Sequence, residues 1–183
     1  MANKRRFDGG ELGNPASIRG MLDELDLALL RGLHEHPRAG ALELSRQLGV
    51  ARATVSARLR RLEESGVITG YGPDVDLASA GYPVQAFVTL EIAQGALEQI
   101  AHELEEMPGV VEAYTTTGAG DVLCRVAAAS HRDLQDTLVR LNHSSAIDRS
   151  TSVIALSTVV PHRVVPLLTR DRPKRPSRSP RYR

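Results

Sequence analysis

The sequence predicts an α+β protein in two parts, helices first and a mixed half of strands and helices after. Three observations predict it. Up to Gly66, leucine and valine recur at helical spacing in three separate runs, each closed by a stop signal. From Val84 onward, stretches of period two alternate with stretches of helical period, in the order strand, helix, strand, strand, helix, strand. The charges divide along the same line: residues 38–61 hold six arginines and one acid, whereas residues 84–160 hold ten acids and four arginines.

Residues 1–20, rich in Gly, Asn, Pro and charge, read as a mobile arm. The first helix lies in MLDELDLALLRGLHEH, where Leu22, Leu25, Leu29 and Leu33 share a face. Asp23 can cap its start, and Pro37 follows its end. The second helix fits ALELSRQLG, with Leu44 and Leu48 one turn apart and Gly49 as its stop. The third covers about residues 52–65, with Val55, Leu59 and Leu62 as its inward stripe and Gly66 ending it. Residues 21–70 thus form a three-helix, helix-turn-helix domain. After it, VITGYGPDVD alternates before meeting Pro73, as a short strand or β-ribbon would, and VDLASAGYP reads as a connector. Residues 71–83 are accordingly strand and linker.

The second domain is expected over residues 84–165. In VQAFVTLEI, Val84, Ala86, Val88, Leu90 and Ile92 face one way and Gln85, Phe87, Thr89 and Glu91 the other. ALEQIAHELEEM is a helix with Leu97, Ile100, Ala101 and Leu104 inward. Pro108 and Gly109 turn the chain into the strand VVEAYTTT, and GAGD leads into the strand DVLCRVAAA. HRDLQDTLVRLN is a helix with Leu134, Leu138 and Leu141 inward, and STSVIALSTVV closes as a strand. This βαββαβ order is that of a ferredoxin-like sandwich. Two helices cover one face of a four-stranded sheet, so the face bearing residues such as Phe87 and Tyr114 wants a partner. The simplest partner is a second copy. Residues 166–183, dominated by the cationic RDRPKRPSRSPRYR, read as a basic disordered tail that either tethers DNA or only solubilises.

Composition bounds the class. The 183 residues are 42% hydrophobic and 25% charged, as suits a soluble globular chain. Aromatics are 3% and tryptophan is absent, so the core must be aliphatic. The single cysteine, Cys124, rules out an internal disulfide framework and fits a reducing cytoplasm. The opening MANKRRFDGG lacks the apolar run of a secretory signal, and SVIALSTVV falls short of the ~20 residues of a membrane helix. A cytoplasmic protein with no membrane partner is expected.

Within the third helix, four arginines (Arg52, Arg58, Arg60, Arg61) fall in ten residues with no acid among them. On a wheel anchored at Val55, Ala53, Ala57 and Arg60 point outward, flanked by Thr54, Ser56 and Arg61. A recognition helix needs that arrangement: small and hydroxylic side chains near base edges, arginines on phosphates. The candidate DNA-binding residues are therefore Arg52, Ala53, Thr54, Ser56, Ala57, Arg60 and Arg61, with double-stranded DNA as partner. An Arg-rich helix can also simply solvate an exposed face, and for an isolated helix that alternative would win. Arg58 flanks the buried stripe, so it pairs with Glu63 or Glu64, packs its stem, or touches DNA.

LDELDLALLRGLHEHPRAGALELSRQLGVARATVSARLRRLEESGVITGY resembles the DNA-binding domain of the Lrp/AsnC (feast/famine) transcriptional regulators. TTTGAGDVLCRV and STSVIALSTVV resemble their effector-sensing and oligomerisation domain, so the likeness covers about residues 22–165. It implies a homodimer, often assembled into octamers, that binds promoter DNA and responds to an amino acid or related small metabolite. It also implies an effector site between sensing domains, around the turn at 117–121, with Tyr114, Thr116, Gly118, Gly120 and Asp121 as candidates. Taken alone, GAGD is a hairpin turn whose glycines suffice to reverse the chain. Two positions depart from the family pattern. Ala51 replaces the usual Ser or Thr cap, and Gly120 replaces a larger residue, so a pocket there is wider, altered or unused.

No other chemistry stands out. His34 and His36 are two apart and point to different sides of a helix, no Cys or carboxylate cluster completes a metal set, and no P-loop or dinucleotide fingerprint occurs. No catalytic residue, metal or cofactor is expected, and an enzyme is not. The rival class is a small-molecule-sensing module that regulates an enzyme without touching DNA, which the arginine-bearing helix argues against.

Overall fold

The computed structural model describes residues 22–169. The helices of the first part are α1 (Glu24–Glu35), α2 (Ala41–Leu48) and α3 (Arg52–Glu64). Then come β1 (Val84–Ile92), α4 (Leu97–Glu105), β2 (Val110–Thr115), β3 (Val122–Ala128), α5 (His131–Asn142), β4 (Ile147–Ala155) and α6 (Val165–Thr169). Two compact units result: one runs to Pro73 and resumes at His162, the other spans Asp74–Pro161.

In the first unit, α1 begins where Asp23 accepts the Asp26 N–H at 3.0 Å while Asp26 accepts the Asp23 N–H at 2.9 Å. This reciprocal box satisfies two donors that a helix start otherwise leaves open. α2 ends on Gly49 at φ 66, a left-handed turn that suits glycine and sends the chain into α3. Leu29, Leu44 and Val55, one from each helix, form the fully buried centre, with Leu25, Leu33, Leu48 and Leu59 packed around it. Leu62 is buried as well, so the expected stripe of α3 is its inward face.

Two expectations fail around this unit. No strand forms between α3 and β1. A stretch that merely alternates has no use for its backbone donors without a strand to pair with. Ile68 N instead bonds back to Leu62 O at 3.0 Å, and residues 76–82 close into a turn in which the Asp76 carboxylate accepts the Ser79 N–H. The other difference lies past Val165. The sequence reading starts a disordered tail at Pro166, yet Val165–Thr169 are helical and pack against α1 within the first unit. Proline is tolerated in a first helical turn, and Val165 and Leu168 become half-buried there. The arm at 1–20 and tail residues 170–183 lie outside the described residues.

The second unit is one antiparallel sheet in the order β2-β3-β1-β4, the ferredoxin-like arrangement. Its helix-covered face carries Ala86, Val88 and Leu90 from β1 and Val122, Cys124, Val126 and Ala128 from β3. Ile100 and Leu104 of α4 and Leu134 and Leu141 of α5 close that core. Burial pushes the Cys124 thiol up to about 11, which makes it an inert apolar filler. β4 begins three residues before the expected STSVIALSTVV and stops at Ala155, because β1 offers partners only from Ala155, opposite Gln85, back to Ile147, opposite Ile92.

Candidate nucleic-acid interface and effector turn

Helical periodicity decides which side chains of α3 are available. With Val55 and Leu62 buried, Arg52, Ala53, Thr54, Ala57 and Arg60 lie exposed and Ser56 half-buried. Arg52 and Arg60 form no ion pair among the described residues, so their guanidinium groups are open to solvent. Ala51 stands at the N-cap just before the helix, and its side chain caps nothing. The first turn of α3 therefore offers outward-facing N–H groups, a small-residue surface and Arg52, and Arg60 adds a second exposed cation two turns further on.

The other two arginines are committed inward. Arg58 donates to Asp23 and, at 3.2 Å, to Asp26, while Arg61 donates to the other oxygen of Asp26. The expected partners Glu63 and Glu64 are not used, since residues five and six further on lie round the helix from Arg58. Thr54, Arg58 and Arg61 instead form one flank, and Arg58 and Arg61 reach the start of α1. Asp26 is fully buried, whereas Arg61 keeps 47% of its side chain in solvent and Arg58 29%. The Asp26 N–H and then Arg58 hold the Asp23 carboxyl below its ordinary range, and the bond to Asp23 holds Arg58 above its own. Glu63 accepts from the Tyr71 hydroxyl at 2.6 Å; burial and then this bond push that hydroxyl up to about 12. Sequence reasoning missed Asp26, although an acid one turn before Leu29 and three residues after a capping aspartate was a visible signal.

The turn at 116–121 is fastened to the end of β1. Asp121 N donates to Leu90 O at 2.8 Å, and Asp121 Oδ2 accepts the Ile92 N–H at 2.8 Å. Thr116 closes the turn from its other side, with its N–H on Asp121 O and its hydroxyl donating to Gly120 O at 2.7 Å. Gly118 sits exposed at φ 118. Gly120 is buried, and a Cβ there would overlap Thr89 Cγ2 and stand 3.3 Å from Leu90 O. The space over Gly120 is thus filled by the Thr89 methyl rather than left wider. Asp121 is exposed, with one oxygen engaged by the backbone.

Tyr114, 57% exposed, lies away from that turn's backbone network, on the sheet face without helices. There it is joined by Phe87 and Val153, opposite each other in register, both exposed, and by Leu123. Arg125 crosses the same face, donating to Gln85 Oε1 at 2.8 Å and Glu112 Oε1 at 3.2 Å, while the Tyr114 hydroxyl donates to Glu112 at 3.1 Å. Among the described residues no group of three or more His, Cys, Asp or Glu converges as a metal site would require, and no helix is long and apolar enough to cross a membrane.

A helix-turn-helix with a cationic outer face, followed by a ferredoxin-like domain with an open sheet face, defines a DNA-binding regulator that carries a second, sensing domain. Residues 22–69 match the winged helix-turn-helix DNA-binding family model, and residues 85–165 match the Lrp/AsnC ligand binding domain. The HTH-type transcriptional regulator Rv2324 of Mycobacterium tuberculosis is 33% identical over 76% of this chain and 95% of that one. The structure of Escherichia coli AsnC superposes with a TM-score of 0.74 at 28% identity, over 80% of this chain and 99% of that one. Neisseria meningitidis NMB0573, solved as its L-Met complex, shares the fold with a TM-score of 0.70 at 23% identity, over 76% and 92% of the two chains. The chain belongs to the Lrp/AsnC family of transcriptional regulators.

Proposed function

We propose that this regulator acts in the cytoplasm as a homodimer, or an octamer built from dimers, whose DNA affinity is set by an amino acid or related small metabolite. The outward row of α3 carries the reading. Ala53, Ala57 and Arg60 stand on the face opposite the buried Val55 and Leu62, next to the exposed Arg52, which forms no ion pair among the described residues. In the major groove, Arg52, Thr54 and Ser56 would meet base edges, Ala53 and Ala57 would allow close approach, and Arg60 and Arg61 would hold phosphates. Pairing of two copies is supported by the open sheet face, where Phe87, Tyr114 and Val153 leave apolar surface that a second such face would cover. Two paired helix-turn-helix units would read a roughly palindromic site.

The effector proposal draws on the matched ligand-binding family and on the L-Met complex of NMB0573. Asp121, with one carboxylate oxygen committed to Ile92, has the other for a ligand's amino group, and Thr116, Gly118 and Gly120 shape the turn around it. The test is a gel shift on a duplex from the gene's own upstream region, with and without a panel of amino acids. Retardation that one amino acid strengthens or weakens is expected. Asp121→Asn keeps an oxygen for the Ile92 N–H, so it should abolish that response and spare the affinity of the free protein. An Asp121→Ala or Asp121→Asn protein that responds as wild type does would remove Asp121 from the site.

A further inference from the structure

Asp26 is a charge where a three-helix core would be as well served by leucine. Burying a carboxylate is favourable only if cations and donors compensate it, and an apolar residue of similar size is often at least as stabilising. What leucine cannot do is fix the direction of a guanidinium group. Asp26 does this for two arginines of α3 at once. Oδ1 takes Arg58, and Oδ2 takes Arg61 together with the Asp23 N–H, so both oxygens are satisfied and no buried side-chain polar atom among the described residues lacks a partner. The two arginines then differ in outlook. Arg58 is shared by two aspartates and largely covered, whereas Arg61 spends Nη2 on Asp26 and is half in solvent. Its planar fork therefore has one edge anchored in the protein, while nearly half of the side chain stays in solvent.

We propose that Asp26 is a positioning residue for DNA binding: it orients Arg61 so that the free edge of the guanidinium meets a backbone phosphate. The proposal rests on α3 being the DNA-reading helix. Arg58, held on the same carboxylate and on Asp23, fixes the flank of α3 against α1 and makes no phosphate contact. A carboxylate–arginine–phosphate chain has a consequence of unexpected sign. Asp26→Asn removes a negative charge near the polyanion, which by charge alone strengthens DNA binding. If Asp26 positions Arg61, the same change weakens it.

The full chain and four variants, Asp26→Asn, Arg61→Lys, Arg61→Ala and Arg60→Ala, would be titrated against two duplexes across a salt series. One duplex is the gene's own upstream region and the other is random sequence, and folding of each variant is followed by circular dichroism at the assay temperature. Arg61→Ala should lower the slope of log affinity against log salt by about 0.9, one phosphate contact's worth. Asp26→Asn should weaken binding to both duplexes roughly tenfold, the order of one charge-assisted hydrogen bond. Arg61→Lys keeps an ion pair with Asp26 but loses the fork, so it should fold as wild type, keep the salt slope and still bind more weakly. Tighter binding by a folded Asp26→Asn protein overturns the proposal, as does wild-type binding by Arg61→Lys, which keeps the question decidable if Asp26→Asn fails to fold. Arg60→Ala separates the two levels. If it leaves affinity and slope unchanged, the assignment of α3 to DNA is at fault rather than the role of Asp26.

Discussion

The helix-turn-helix unit and the sheet unit place their ionic groups in opposite ways. In the first, a carboxylate is buried at 0% exposure and two arginines close over it, while the buried apolar centre among the described residues is small, a cluster of Leu29, Leu44 and Val55 with Leu62 buried as well. In the second, the core contains no charge at all, and the ion pair Arg125–Glu112 lies across the face left open. A thin core leaves little redundancy, so each apolar contact weighs more and orientation is secured by directional bonds. A broad aliphatic core needs no such help and leaves its polar network on the sheet face without helices.

That contrast can be broken most forcefully at Leu44. Leu44→Ala empties one of three central positions and should cost about 2–5 kcal/mol. The sheet core shares no residue with it. Thermal unfolding should therefore separate into an early loss of α-helical signal and an unshifted transition of the sheet unit, with DNA binding lost and dimerisation kept. A single shifted transition would show that the two units melt as one.

A smaller effect sharpens the comparison inside the sheet unit. Gly120→Ala would place a methyl against Thr89 Cγ2, and since a β-branched side chain has little freedom at χ1, overpacking should cost about 1–3 kcal/mol. Thr89→Ser removes the opposing methyl, so the double variant should regain most of the loss in a denaturant titration. If the double variant is no better than Gly120→Ala, the backbone at Leu90 rather than Thr89 limits the site.

The smallest effect concerns the uncapped start of α3. Ala51→Ser supplies the missing side-chain acceptor and should stabilise the helix-turn-helix unit by about 1 kcal/mol. Its melting temperature should rise while that of the sheet unit stays put.

Much of this protein was settled by local pattern. The period of Leu25, Leu29 and Leu33, the strict alternation of Val84 to Ile92 and the stops at Gly49 and Gly66 each report one element's burial. Burial of a single amphipathic face writes itself into neighbouring residues. The helix order, the βαββαβ order, the stripe of α3 and the cationic face opposite it were all legible for that reason. What lay beyond it depended on which elements meet. The partners of Arg58 and Arg61 are 32 to 35 residues away in sequence, so periodicity within α3 could expose them but could not name Asp26. The alternation after Gly66 looked like a strand because pattern records a side chain's preference, whereas a strand exists only where another supplies its hydrogen bonds. The limit of β4 was drawn by the length of β1, and Val165–Thr169 became helical against α1 instead of joining the tail. Gly120 read as spare room until Thr89, thirty-one residues earlier, was seen to fill it. The sequence by itself determined the elements and their inward faces, because those follow from neighbours a turn or two apart. Only the tertiary structure decided which charge answers which and where space is closed, because those are contacts between elements, and the chain does not encode distance across a fold in any local period.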